Sequence, residues 1–117
     1  MAELTLSPGL VGERSTMVCE HNVAPHVPRF STPSMISLME QAALAALDGR
    51  LPPDETSVGF EVHVRHLAPS SIGAIIVARA ELAEVDRNRL TFNVVAFDGD
   101  TKIGEGTHRR AVINANR

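Results

Sequence analysis

Aromatic residues and cysteine are scarce in this sequence of 117 residues, which has four phenylalanines, no tryptophan, no tyrosine and one cysteine. A hydrophobic core must therefore consist of aliphatic side chains and methionine, and the hydrophobic fraction of 44% is normal for a globular protein. Because Cys19 has no second cysteine with which to pair, we expect a reduced, cytoplasmic setting. The length predicts a single domain spanning residues 1–117.

Basic clusters and long apolar runs are also missing. The formal net charge is −3, and no basic run is longer than Arg109–Arg110, which argues against a nucleic-acid partner. No apolar stretch approaches the roughly 20 residues of a membrane-spanning helix. The N-terminus lacks the basic start and apolar run of a signal peptide. We therefore expect neither nucleic acid nor a membrane as a partner.

The strongest helical signal is STPSMISLMEQAALAALDG at residues 31–49. Ser31 or Thr32 can cap the N-terminus, Pro33 suits the first turn, and Gly49 is a natural end. Apolar residues lie on nearly every side of this helix, a pattern typical of a helix that is buried on most of its surface.

Five strands are predicted around the helix, one before it and four after it, at residues 11–20, 58–66, 73–85, 89–97 and 102–113. In the second strand, Val58, Phe60, Val62 and Val64 alternate with other residues, which predicts that their side chains point toward the helix. Short links between the later strands favour antiparallel neighbours. We predict an α+β fold in which a curved five-stranded antiparallel sheet wraps one central helix, with a second copy covering the open side.

Glu40 lies in the middle of the apolar helix, where an unpaired carboxylate costs several kcal/mol unless the site is wet. The simpler alternative is that the helix reaches solvent at this point. His66 continues the inward series of the second strand, and it is either a histidine at the rim of the core or a partner of Glu40. A carboxylate and an imidazole in one site can activate a water molecule or a hydroxyl group.

Two further residues have both a structural and a functional interpretation. The Thr32 hydroxyl can cap the helix and can also donate a hydrogen bond to a ligand. Arg110 shares one face of the last strand with Gly104 and Gly106, and two glycines leave room for a close approach to the sheet. The alternative for Arg110 is a surface arginine on an edge strand.

A metal site is not expected from the histidine spacing. His63 and His66 are three residues apart on a predicted strand, so their side chains face opposite sides of the sheet. His21 and His26 lie in a loop without a pattern of cysteine or aspartate around them, and His108 stands alone.

Three segments in this order carry a family resemblance: T-P-x-x-x-x-L-M-E-x-A-A at residues 32–43, T-S-V-G-x-x-V-x-V-R-H-L-A at 56–68, and K-I-G-E-G-T-H-x-R-A-V-I at 102–113. Together they resemble the fluoroacetyl-CoA thioesterase family of hotdog-fold proteins. The resemblance implies a helix wrapped by an antiparallel sheet, in homodimers whose active sites lie at the subunit interface.

The resemblance also implies residue roles. Thr32, Glu40 and His66 fall on the catalytic positions, Arg110 on an active-site arginine, and Gly59 on an interface glycine, and we assign the last two to substrate binding. The implied activity is hydrolysis of a thioester of coenzyme A or of an acyl-carrier protein, with coenzyme A as part of the substrate and no other cofactor. The alternatives are a non-catalytic acyl-CoA binding module and a hotdog dehydratase or hydratase.

The loop before the helix departs from the family pattern. The fluoroacetyl-specific member closes its pocket with phenylalanines, and counting back from Thr32 places Val23 and His26 at those positions. Phe30 is the aromatic residue that remains in this segment. We assign all three to substrate binding, and the acyl group is open among short and medium chains.

The spacing of the implied catalytic residues restricts how they can meet. If Thr32 begins a straight helix, Glu40 lies about 12 Å further along its axis. Either Thr32 folds back off the helix, or the site combines residues from two chains. We favour the second hypothesis.

Overall fold

The computed structural model describes residues 6–116, so the two ends of the predicted domain lie outside the described residues. One helix and five strands follow in the order β1 (Val11–Met17), α1 (Thr32–Leu47), β2 (Glu55–His66), β3 (Ile75–Asp86), β4 (Arg89–Asp98) and β5 (Thr101–Asn114). All strand pairs are antiparallel, and the order across the sheet is β1-β3-β4-β5-β2. The predicted α+β architecture with one helix and a five-stranded antiparallel sheet is confirmed. No helix within residues 6–116 is long and apolar enough to cross a membrane.

The prediction that short links join neighbouring strands is wrong for β2 and β3. β2 pairs with β5 at one edge of the sheet, whereas β3 lies between β1 and β4. The link at residues 67–74 is long enough for this crossing, since eight extended residues span up to about 26 Å. Three strand spacings amount to only about 14 Å. β2 is thereby left at an edge, with no second strand partner in the described part of the chain.

The predicted inward direction of Val58 and Phe60 is also wrong, because β2 contains an irregularity. The register with β5 shifts between Gly59 and Glu61, as it does at a β-bulge. An extra residue reverses which side chains face the core, so Ser57 is buried while Val58 and Phe60 are each 44% exposed.

After the bulge, the predicted alternation holds. Val62, Val64 and His66 are half-buried, on the side that the sequence predicts. Phe60 instead lies against the guanidinium group of Arg109, which is 5.1 Å from the ring centroid. A single bulge thus divides β2 into one half that follows the sequence prediction and one half that opposes it.

The helix is capped by Ser31, whose hydroxyl oxygen accepts a hydrogen bond from the backbone N–H of Ser34 at 3.2 Å. Thr32 is the first helical residue, so of the two predicted caps Ser31 is the one that caps the helix. The helix packs mainly against β1 and β3 and buries one broad face, formed by Met35, Leu38, Met39, Ala42, Ala43, Ala46 and Leu47. Leu44 and Gln41 are exposed, so the predicted burial on most sides is not reached within one chain.

Gly12 allows the helix to lie directly on β1. A Cβ atom at this position would collide with the backbone oxygen of Ala42 and the backbone nitrogen of Ala46. Because backbone atoms cannot move aside without shifting the helix, we expect Gly12→Ala to lower the free energy of unfolding by about 1–3 kcal/mol. Urea denaturation measures this change, with Ser15→Ala on the exposed face of the same strand as the control. An unchanged midpoint for Gly12→Ala would contradict the close packing.

Candidate active site

Thr32 and His66 meet where the start of α1 lies over the end of β2. The Thr32 Oγ1 atom is 2.9 Å from Nδ1 of His66. The other ring nitrogen, Nε2, is buried and has no hydrogen-bond partner within residues 6–116. Burial lowers the pKa of His66, and the backbone of Ala68 opposes this shift only in part. The ring is therefore held by the threonine and favours the neutral form, which has a nitrogen able to accept a proton.

A cleft of about 320 Å³ opens beside the Thr32–His66 pair. Phe30, Leu67 and Pro69 contribute apolar surface to its wall. Val23 forms an isolated β-bridge with Phe30, and His26 is exposed. A larger depression of about 610 Å³ lies elsewhere, around polar side chains such as Arg65 and Lys102. We regard the smaller cleft as the functional one because Thr32 and His66 both line it.

A second group of polar side chains surrounds Glu40, and we call Glu40, Ser57, His108 and Arg110 the Glu40 cluster. Arg110 is only 5% exposed and lies on the inner strand β5, so it is not an arginine on an edge strand. Its Nε donates to Oγ of Ser57 at 2.8 Å, and its Nη2 donates to the Ser57 backbone oxygen at 2.9 Å. The Glu40 Oε2 atom is 4.0 Å from Nη1 of Arg110, with 41% of the Glu40 side chain exposed. A buried cation thus faces a carboxylate that solvent can reach.

The hydrogen bonds of His108 fix its tautomer. A backbone oxygen can only accept, so Nδ1 of His108 donates to the Glu61 oxygen at 3.1 Å. Arg110 can only donate, so Nε2 of His108 accepts from Nη1 at 3.1 Å. Burial and the charge of Arg110 lower the pKa of His108, and they outweigh the hydrogen bond to Glu61 and the charge of Glu40, which raise it. The ring is therefore neutral, and its 3.8 Å approach to Glu40 is not an ion pair.

Gly59 leaves the approach to this cluster open. A Cβ atom at Gly59 would lie 2.7 Å from Cε1 of His108 and 2.9 Å from Oε2 of Glu40. Any side chain here would therefore press on the carboxylate and the imidazole. The sequence places Gly59 at a substrate-binding position through the family resemblance, and the structure gives it a steric reason for being glycine.

Glu40 and His66 do not meet within one chain, so the sequence prediction that His66 could be a partner of Glu40 is not met inside a single copy. Thr32 is a regular helical residue, so it does not fold back, and Glu40 lies about 12 Å further along the axis. Along β2, the distance from Gly59, beside the Glu40 cluster, to His66 is roughly 23 Å. Of the two sequence hypotheses for how Thr32 and Glu40 meet, the first is wrong, because Thr32 does not fold back off the helix.

Sequence reasoning missed Ser57 and His108. His108 is two residues before Arg110 and so shares its face of β5, a signal that was available in the sequence. Ser57 was hidden, because the bulge after Gly59 turns it inward against the simple alternation. No group of three or more potential metal ligands occurs within residues 6–116.

Comparison with known proteins first defines the class. A solved structure described as a hot-dog-like protein from Thermanaerovibrio acidaminovorans superposes with a TM-score of 0.87 at 24% identity, covering 93% of this chain and 84% of that chain. At this level of identity the likeness shows the fold, which is the hotdog fold. The predicted curved sheet around a central helix is thereby confirmed.

The family follows from closer matches. The family described as FlK, fluoroacetyl-CoA-specific thioesterase, matches residues 11–116, and this chain belongs to that family. The fluoroacetyl-CoA thioesterase of Streptantibioticus cattleyicolor is 41% identical over 88 residues, which cover 75% of this chain and 63% of that protein. A solved structure of a single-residue FlK mutant in complex with acetyl-CoA superposes with a TM-score of 0.89 at 32% identity, covering 95% of this chain and 92% of that chain.

Proposed function

We propose that this protein hydrolyses acyl-CoA thioesters with short or medium acyl groups, at sites formed between two copies of the chain. The observation that carries the proposal is the separation of two complementary groups. One chain supplies a carboxylate backed by a buried arginine, and the second supplies the Thr32–His66 pair with its orphaned Nε2. Membership in a thioesterase family supports this activity.

The edge strand β2 offers a route to the homodimer. It has 12 residues without proline, and its outer edge has no strand partner within residues 6–116. Such an edge is a template for pairing with another chain. A two-fold axis that passes between Val62 and His63 would place two copies of the strand antiparallel. His66 of one copy would then lie opposite Gly59 of the other, which adjoins Glu40 of that other copy.

The chemistry divides between the two groups. Water attacks the thioester carbonyl, the carbon–sulfur bond breaks, and the products are a carboxylic acid and a free thiol. Glu40 and the neutral His66 activate the attacking group by accepting its proton. Thr32 holds the His66 ring through Nδ1, which leaves Nε2 as the ring nitrogen without a hydrogen-bond partner within residues 6–116. Arg110 and Gly59 complete the substrate-binding surface, and no cofactor is required besides the coenzyme A of the substrate.

Substrate preference is set by the loop before the helix. Phe30 is buried in the wall of the cleft, and Val23 pairs with it. His26, at a position where the fluoroacetyl-specific enzyme has a phenylalanine, is exposed and adds no aromatic cover. The cleft is therefore open to acyl groups larger than fluoroacetyl. We extend the proposal to the same acyl groups on an acyl-carrier protein. We also propose a cytoplasmic location, in keeping with the single cysteine.

A thiol-release assay tests this function. Purified protein is offered fluoroacetyl-, acetyl-, butanoyl- and octanoyl-CoA, and the same acyl groups on an acyl-carrier protein, while free thiol is measured. We expect turnover, with rates for butanoyl-CoA at least equal to those for fluoroacetyl-CoA. Binding of acyl-CoA without release of thiol from any substrate would overturn the proposal in favour of a binding module.

A further inference from the structure

His108 is a buried histidine to which no role has so far been assigned. It is 1% exposed and lies between the guanidinium group of Arg110 and the backbone oxygen of Glu61. The charged or titratable groups that face it are Glu40 from α1 and Arg110 from its own strand, while β2 contributes the backbone at Gly59 and Glu61. Its ring has no direct contact with the cleft beside Thr32.

The arginine is held by three acceptors, none of which is the carboxylate. Ser57 accepts from Nε and Nη2, and His108 accepts from Nη1. Glu40 is nearest to the same Nη1 atom, but at 4.0 Å it is beyond hydrogen-bond distance. One of the two N–H groups of Nη1 is therefore directed to His108, and not to the adjacent carboxylate, which is the preferred partner of a buried guanidinium group.

We propose that His108 is a positioning residue that keeps the Glu40 carboxylate free to accept a proton. By accepting from Arg110, it fixes the guanidinium group where it supplies positive charge without occupying the Glu40 oxygens. This inference rests on the proposed thioesterase function. If His108 were absent, the Nη1 atom of Arg110 would turn to Glu40, and the carboxylate would be held in a charge-assisted hydrogen bond instead of facing the attacking group.

Two conservative variants separate this role from a purely structural one. In His108→Gln, the side-chain oxygen reaches the position of Nε2 and can accept from Arg110, while the bond to Glu61 is lost. In His108→Asn, the side-chain amide takes the position of Nδ1, so the bond to Glu61 is kept and the acceptor for Arg110 is lost. If the role of His108 were only to tie β2 to β5 through the bond to Glu61, the Asn variant would retain more activity than the Gln variant.

The measurement is kcat and KM for the best acyl-CoA substrate, with thermal melting as the check of folding. We expect His108→Asn to lower kcat by about 10- to 100-fold, as misplacement of a catalytic group can do, with little change in KM. His108→Gln should retain most of the wild-type kcat. Equal kcat values for wild type and His108→Asn, or better rescue by Asn than by Gln, would overturn the inference while leaving the proposed function intact.

Two outcomes complete the test. If the wild-type protein hydrolyses none of the substrates, the proposed function fails and the role of His108 falls with it. If the variants do not fold, nitrogen-15 NMR of the wild-type histidine rings decides the matter. A proton on Nδ1 and none on Nε2 of His108 at neutral pH supports the inference, whereas a proton on Nε2 contradicts it, because that atom could not then accept from Arg110.

Discussion

Glu40→Gln is expected to lower kcat/KM for acyl-CoA hydrolysis by about 10²–10⁴-fold, the contribution typical of a general base. Glutamine has nearly the same size and keeps a polar group at the open side of the helix, but it cannot accept a proton from the attacking group. Arg110 would also lose the negative charge that lies 4.0 Å from its Nη1 atom. We therefore expect a large loss of activity with an intact fold.

The control for this variant is Glu84→Gln, which makes the same chemical change at an exposed position of β3. Thiol release gives the activity of both variants, and circular dichroism with thermal melting shows whether each is folded. Glu84→Gln should retain wild-type activity. A folded Glu40→Gln protein with the wild-type rate would refute the role of the carboxylate.

His66→Ala is the second change for which we expect a loss of about 10²–10⁴-fold in kcat/KM. It removes both the buried ring nitrogen that would accept the proton and the partner of the Thr32 hydroxyl. His63→Ala is a closely matched control, since His63 lies on the same strand with its side chain 74% exposed on the opposite face. Thiol release with both variants tests the assignment, and equal losses for the two would show that the effect comes from the strand instead of the site.

Much of the fold is predictable because it depends on local patterns. The helix follows from its caps and its apolar residues, and the turn at residues 98–100 follows from its glycine, whose φ is 60°. The position of β2 depends instead on which edge receives a long crossing link. The bulge in β2 is a one-residue shift in its register with β5. The residues before and after the bulge alternate regularly, so nothing in the sequence marks where the shift occurs.

The same physics explains what was predictable in the candidate site. Glu40 is conspicuous because a carboxylate within an apolar helix requires a reason, and His66 follows from alternation beyond the bulge. Ser57 and the tautomer of His108 depend on contacts with Arg110 across strands, and these exist only once the register is fixed. The separation of Glu40 from Thr32 follows from helix geometry alone, so a site built from two chains could be proposed before the fold was known.

The central claim is that each active site combines Glu40 of one chain with His66 of another. A heterodimer of one Glu40→Gln chain and one His66→Ala chain tests it, isolated through two different affinity tags. In such a dimer one site carries both substitutions and the other carries neither, so we expect about half of the wild-type thiol release per dimer. Both parental homodimers should be nearly inactive. A heterodimer no more active than its parents would contradict the account, because it would mean that each site draws both residues from the same chain.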